Sequence, residues 1–369
     1  MAAKEPQPLP RSDHIPGLPH PRNAPTLMGH RPALDRLKAA YASGKFPHAW
    51  LITGPDGIGK ATLAYHLIRF LIAAPERSSA GSLLEIGQTE ATGRVTAGTH
   101  GDVAVLRKPY DEKSKRFKTA IPVDDVRAAQ ALFAQSSGEG GARIALVDKA
   151  DHLTLNAANA LLKTLEEPPA GALLILLADR PARLLPTIRS RCASLALGPL
   201  SLEDFTGALT SLTQAGALKP QEPETLERLW HLSSGSPGMA LQLLLEDGLG
   251  VRRKLDQFFS GLARGTTVPP QSLIDAAHAD NGRLWPHFRD GFLAELHAQV
   301  RHRAMQASTA SGEASPASQI DPWLDLYAES QSLFERAEAV NLDKGHVASV
   351  VLDKALGLRA PSAGEGRRA

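Results

Sequence analysis

Apolar positions follow two rhythms along this chain, and the change from one to the other divides it. Short, mainly apolar runs lie at 48–53, 102–106, 144–147, 173–177 and 194–197, as expected of buried strands. Helical spacing fills the stretches between them. Leu34 and Leu37 share a face of 34–41, and Ala64, Leu67, Ile68, Leu71 and Ile72 recur three and four apart. The stretch 121–134 reads as a turn followed by a helix; Ala158, Leu161, Leu162 and Leu165 mark another, stopped by Pro168-Pro169. Strands alternating with helices predict a doubly wound α/β domain.

Beyond Pro199 only the helical rhythm remains. Residues 200–247 read as short helices around a turn at Gly235-Ser236-Pro237-Gly238, and 251–307 and 321–358 as longer helices joined by a low-complexity link at 307–318. The proline-rich stretch 1–24 is expected to be a disordered lead, 75–101 an irregular insertion and 359–369 a polar tail. There is no internal repeat.

Composition narrows the class. The 369 residues are 43% hydrophobic and 22% charged, as in soluble globular proteins, and a net charge of +2 announces no global field for nucleic acid. The single cysteine, Cys192, excludes an intrachain disulfide and a multi-cysteine zinc site. The first residues lack the apolar core of a secretory signal, and no run approaches the roughly 18 apolar residues of a membrane span. A cytoplasmic location is expected.

The run 48–53 leads into Gly54-Pro55-Asp56-Gly57-Ile58-Gly59-Lys60, and a helical stretch follows. Strand, glycine-rich turn and helix aim backbone N–H groups and a positive helix end at a phosphate, with Lys60 as the point charge. An ordinary glycine-rich turn is the plainer alternative. The Mg²⁺-ligating hydroxyl expected after the lysine is absent, because Ala61 occupies that place and Thr62 arrives one position late. Asp148, after the run 144–147, is placed to hold Mg²⁺ through water, but the next residue is Lys149 where a water-orienting glutamate belongs. Asp151 reads more simply as a helix-start residue than as a catalytic acid. Arg191, in Ser190-Arg191-Cys192, is either a solvated surface charge or a finger for a neighbouring subunit's γ-phosphate. The basic segment 107–118 carries Asp111 and Glu112 among its cations, which favours a solvated hairpin or loop; only a spatial cluster would make it a DNA contact.

Several stretches together resemble the clamp-loader branch of the AAA+ family. They are Pro47-His48-Ala49-Trp50-Leu51, the glycine-rich loop with Ala61-Thr62-Leu63-Ala64, Asn159-Ala160-Leu161-Leu162-Lys163-Thr164-Leu165-Glu166-Glu167-Pro168-Pro169, and Thr187-Ile188-Arg189-Ser190-Arg191-Cys192. The resemblance is strong over roughly 25–200 and general beyond 251. It implies a RecA-like AAA+ P-loop core at 25–198, a small helical lid at 199–250 and an all-α collar at 251–358 that holds a ring together. It also implies a place beside an ATP-binding gamma/tau subunit and a clamp-opening delta subunit, in a ring that puts the sliding clamp on primed DNA.

By the same resemblance, Arg191 with Ser190 reaches the neighbour's ATP, while Gly54, Gly57, Gly59, Lys60, Ala61, Thr62 and Asp148 form a degenerate nucleotide site. Four departures from active members agree: Ala61, Lys149, Gly238 in place of a phosphate-sensing arginine, and Ala178 or Asp179 in place of a polar sensor. Hydrolysis in cis is therefore not expected, and any ATP or ADP at the cradle is expected to bind weakly. The zinc-binding cysteines of many relatives are absent from 75–101, so no zinc is expected. The alternative is a catalytically active AAA+ ATPase, either a gamma/tau-like motor or a helicase-type protein. The long helical C-terminal half disfavours a small-molecule kinase.

Overall fold

The computed structural model describes residues 9–24, 26–73, 89–134, 142–266, 270–309, 317–340 and 342–358. The tail expected at 359–369, and the middle of the link expected at 307–318, lie outside them. The chain forms two compact units, Met1–Ala240 and Leu241–Ala369.

The first unit is built on a five-stranded, wholly parallel sheet. In chain order its elements begin with α1 (Arg31–Ala42), β1 (Ala49–Thr53), α2 (Lys60–Ile72), α3 (Glu90–Ala97) and β2 (Val103–Leu106). A small hairpin, β3 (Tyr110–Asp111) and β4 (Arg116–Phe117), precedes α4 (Val123–Ala134), β5 (Arg143–Val147), α5 (Leu155–Glu166) and β6 (Ala172–Ala178). Then come α6 (Pro186–Arg189), β7 (Ala193–Ala196), α7 (Leu202–Gln214), α8 (Pro223–Leu232) and α9 (Pro237–Leu245), the last running into the second unit. The sheet order is β2-β5-β6-β1-β7, so the loops leaving β1, β5 and β6 emerge side by side at one end.

Alternation along the strands shows why the runs are apolar throughout. Leu51, Val147, Leu174 and Leu176 join one core with Val126, Leu161 and Ile188 of α4, α5 and α6. The intervening Trp50, Ile52, Leu146, Ile175 and Leu177 are equally buried, so the opposite face is covered too. The doubly wound α/β core is thus present, its strands within a residue or two of the apolar runs. On α2, Leu63, Ala64, Leu67, Ile68 and Phe70 are all buried, which fixes the helix that starts at the glycine-rich loop.

Two expectations need correction. The stretch read as a disordered lead is laid against the core from residue 9, with Leu18 and His20 buried. Its polar residues make the contact: Asp13 pairs with His20 at 3.0 Å, Arg11 at 3.1 Å and Arg107 at 3.5 Å. Within the expected irregular insertion, 74–88 lie outside the described residues, but Glu90–Ala97 is helical. Thr89 and Thr92 start that helix with reciprocal side-chain-to-backbone bonds.

Among its described residues the second unit is helical: α10 (Gly248–Ala263), α11 (Gln271–Gly282), α12 (Trp285–Thr309), α13 (Ala317–Ala339) and α14 (Lys344–Gly357). Its core centres on aromatic rings, with Trp285, Phe288 and Phe292 of α12 packed on Phe334 of α13. Among the described residues, no helix is long and apolar enough to cross a membrane.

Candidate functional site: a self-paired phosphate loop and a remote arginine

The glycine-rich loop joins β1 to α2 as the sequence predicts, and Gly59 immediately precedes the first turn of α2. Lys60, the expected phosphate ligand, is only 7% exposed and is already committed. Its Nζ donates to the carbonyls of Gly54 at 2.9 Å and Pro55 at 2.6 Å, and lies 2.6 Å from Asp179 Oδ1. Lys149 completes the arrangement, with Nζ 2.9 Å from Asp56 Oδ2 and 3.4 Å from Asp179 Oδ2. Two lysines and two carboxylates therefore alternate across the mouth of the cradle.

The sheet order explains the meeting. Asp56 follows β1, Lys149 follows β5 and Asp179 follows β6, three adjacent parallel strands whose loops share one end. Burial opposes ionisation of Asp56, but Lys149, by charge and hydrogen bond, together with Lys60 and the Gly57 N–H holds that carboxyl below its ordinary value. Lys149 is itself held well above the usual lysine range: burial works against its charge, and Asp56 and Asp179 overcome it. A lysine held cationic in this way cannot act as a base.

The metal side of the site is equally changed. Ala61 offers no side-chain oxygen, and Thr62 lies one helical step further round α2. Burial pushes the Asp148 carboxyl up to about 7, only partly offset by Lys149, so near neutral pH it is a poor ligand for a divalent cation. Asp151 sits in a one-turn 3₁₀ helix rather than starting a longer one. Its carboxylate accepts from the N–H groups of Asp179 at 3.4 Å and Arg180 at 3.1 Å, bracing the exit of β6.

The start of α9 presses onto the loop. Ser236 Oγ donates to Asp56 O at 2.7 Å, and the Gly238 N–H donates to Gly57 O at 2.9 Å. A Cβ on Gly238 would lie 2.5 Å from Gly57 Cα, so no side chain fits there, least of all an arginine. His30 supports the loop from α1, with Nε2 2.9 Å from Ile58 O.

Arg191 lies elsewhere. β7 pairs with β1 in parallel, Trp50 beside Ala193 and Thr53 beside Ala196. Arg191 comes just before β7 and so lies at the N-terminal end of these parallel strands, whereas the loop at Gly54 leaves the C-terminal end of β1. His48 Nε2 is 3.1 Å from Leu165 O at the C-terminal end of α5, which belongs to the same end of the sheet. Arg191, 37% exposed, meets Glu166 at 2.9 Å and donates to Thr187 O at 3.0 Å, while Ser190 Oγ donates to Thr187 O at 3.2 Å. Burial pushes the neighbouring Cys192 thiol up to about 11, leaving it unreactive.

Gly54, Gly57, Gly59 and Lys60 are thus brought together, with Asp148 at the same end of the sheet, while Ser190 and Arg191 are set apart at the other. Sequence reading missed the joint role of Asp56, Lys149 and Asp179. Their opposite charges are visible in the sequence, but their proximity follows only from strand order.

The family model described as "DNA polymerase III, delta subunit" matches residues 29–201. DNA polymerase III subunit delta′ of Pseudomonas aeruginosa is 40% identical over 59% of this chain and 61% of its own length. The subunit delta′ of Escherichia coli is 35% identical over 62% of this chain and 63% of its own. This chain therefore spans less than two thirds of the length of those two relatives. The subunit delta′ of Haemophilus influenzae is 31% identical over 68% of this chain and 71% of its own length. With the parallel α/β core and its glycine-rich loop, the start of α9 that presses on that loop and the helical unit that follows, the chain belongs to the family of DNA polymerase III subunit delta′.

Proposed function

We propose that this chain is a non-hydrolysing AAA+ subunit of the DNA polymerase III clamp loader. In this reading it helps load the sliding clamp on primed DNA during DNA replication, as a cytoplasmic component of the DNA-directed DNA polymerase (nucleotidyltransferase) holoenzyme. Its partners are the gamma/tau and delta subunits, and its parts are a core at 25–198, a lid at 199–250 and a collar at 251–358. It carries no catalytic residue for its own nucleotide. Instead Arg191, positioned by Ser190, serves an ATP site on the adjacent subunit.

One observation carries the reading: the exposed arginine stands at the opposite end of the parallel sheet from the chain's own cradle. It cannot reach a phosphate bound in cis, whereas a neighbour packed against that end can present one. The cradle, for its part, has its lysine paired with Asp179 and lacks the Mg²⁺ hydroxyl.

The test is reconstitution with gamma/tau and delta, followed by DNA-stimulated ATPase measurement. Arg191→Ala should assemble normally and lose about 10³-fold or more of the rate at the site it serves. Assembly with full activity refutes the finger. ATP turnover by the purified chain alone, abolished by Lys60→Ala, refutes the non-hydrolysing reading.

A further inference from the structure

The basic segment 107–118 takes no part in the site above, and the fold makes a cluster of its second half. β3 and β4 pair antiparallel, Tyr110 opposite Phe117 and Asp111 opposite Arg116, so Lys113, Lys115, Arg116 and Lys118 all lie on one short ribbon. All four are exposed, and none has an ion-pair partner among the described residues. Asp111 Oδ1 accepts from the N–H groups of Lys113 at 2.9 Å and Ser114 at 3.3 Å, and these backbone bonds hold its carboxyl below the ordinary value. That carboxylate stays charged, and Glu112 stands exposed beside it, so four cations outnumber two acids on the ribbon. Arg107 belongs to the Asp13 cluster and not to the ribbon.

At the base of the ribbon, Phe117 is 37% exposed and its ring meets Tyr110 edge-on at 5.3 Å. The hairpin leaves the C-terminal end of β2, the edge strand, on the same side of the sheet as the glycine-rich loop. Arg191 is at the other end, so a neighbour engaged there leaves the ribbon free.

We infer that the β3–β4 hairpin is a nucleic-acid contact, with Lys113, Lys115, Arg116 and Lys118 on backbone phosphates and Phe117 against an exposed base or sugar. Unpaired cations on a narrow ribbon gain affinity by releasing counterions from a polyanion and need no buried area. A stable protein interface needs about 800 Å² per partner around an apolar centre, which one aromatic ring does not supply. The inference deepens the clamp-loader reading by naming where the chain touches DNA, but its test stands apart from that reading.

The test is fluorescence anisotropy of a labelled primed duplex with the full chain, wild type and Lys113→Ala/Lys115→Ala/Arg116→Ala/Lys118→Ala, from 0.05 to 0.3 M salt. Removing one cation from a phosphate lowers the salt slope by about 1, so the quadruple variant should show a slope smaller by about 3–4 and at least tenfold weaker affinity near 0.1 M salt. Lys219→Ala, an exposed lysine outside the hairpin, should change neither value, and Lys→Arg at 113, 115 and 118 should keep the wild-type slope. An unchanged slope in the quadruple variant overturns the proposal, as does the absence of salt-dependent DNA binding by wild type both alone and with gamma/tau and delta. If the wild type forms no complex with those subunits, the clamp-loader reading fails, and the slope measured on the chain alone still decides this one. If the quadruple variant no longer assembles but keeps its DNA slope, the ribbon binds an acidic protein and the proposal is overturned.

Discussion

Asp179 is the residue on which the closed cradle turns, and Asp179→Asn tests it with little change of volume. The wild-type carboxylate is 17% exposed and touches two ammonium groups, Lys60 at 2.6 Å and Lys149 at 3.4 Å. Removing its charge leaves Lys60 with only the carbonyls of Gly54 and Pro55, and Lys149 with only Asp56. Breaking a buried pair from one side costs about 3–5 kcal/mol; the partners that remain reduce this to about 2–3 kcal/mol. For a unit of this size that is roughly 4–12 °C of melting temperature. Anions should then recover part of the loss, because the variant's Lys60 is an unpaired cation at a helix N-terminus. ATP, ADP or inorganic phosphate at ten times its dissociation constant would return about 1.4 kcal/mol to the variant and nothing measurable to wild type.

The assay is thermal unfolding followed by circular dichroism, with and without millimolar ADP or phosphate. If wild type gains as much from ADP as the variant, the carboxylate does not close the cradle. If the variant melts with wild type and ignores anions, the ion pairs contribute nothing.

Other outcomes follow from single contacts. Gly238→Ala drives a Cβ to 2.5 Å from Gly57 Cα, and should lower stability by about 1–3 kcal/mol and speed proteolysis near 236–240. Glu166→Ala breaks a pair whose members are 50% and 37% exposed, so stability should change by less than about 1 kcal/mol. The freed Arg191 should then leave the ATPase rate of the assembled complex unchanged or raise it up to about fivefold; a fall would mean that Glu166 positions the arginine. Asp148 has its folded pKa raised to about 7 from 3.8, so it favours the fold while protonated, and that stability is lost as pH rises through about 7. Asp148→Asn should therefore match wild type near pH 4 and exceed it by about 1–2 kcal/mol at pH 8 in urea unfolding.

The strands were the easiest part to read, because a parallel sheet covered on both faces admits only apolar side chains, and Ile144 to Val147 and Leu173 to Leu177 say so without help from context. The loop was legible too, since few uses exist for glycines at 54, 57 and 59 before a lysine. What failed was reading by local composition. Prolines and polar residues at 9–24 suggested disorder, yet Asp13 is fixed by His20, Arg11 and Arg107, a contact spanning some ninety positions. The solvated hairpin or loop expected at 107–118 is an exposed hairpin, but only the pairing of Tyr110 with Phe117 shows which of its cations gather. In both cases the deciding partner is set by tertiary or turn geometry, which a window of sequence does not contain.

That distinction bears on what holds the glycine-rich loop in shape when its lysine is already paired. If Lys149, Asp179 and Gly238 were only losses, the loop would be under no constraint to keep its shape. Each instead makes a cohesive contact at the loop. Lys149 draws the β5 loop to Asp56, Asp179 draws the β6 loop to Lys60, and the bare backbone of Gly238 lets α9 bond to Gly57. The loop is the point at which three strand ends and the start of α9 are tied. Restoring the catalytic residues one at a time should therefore weaken the unit before it restores any chemistry. Lys149→Glu sets a third carboxylate beside Asp56 and Asp179 and should destabilise by about 2–4 kcal/mol with no gain in ATP turnover. A Lys149→Glu chain as stable as wild type would show that these ties are incidental.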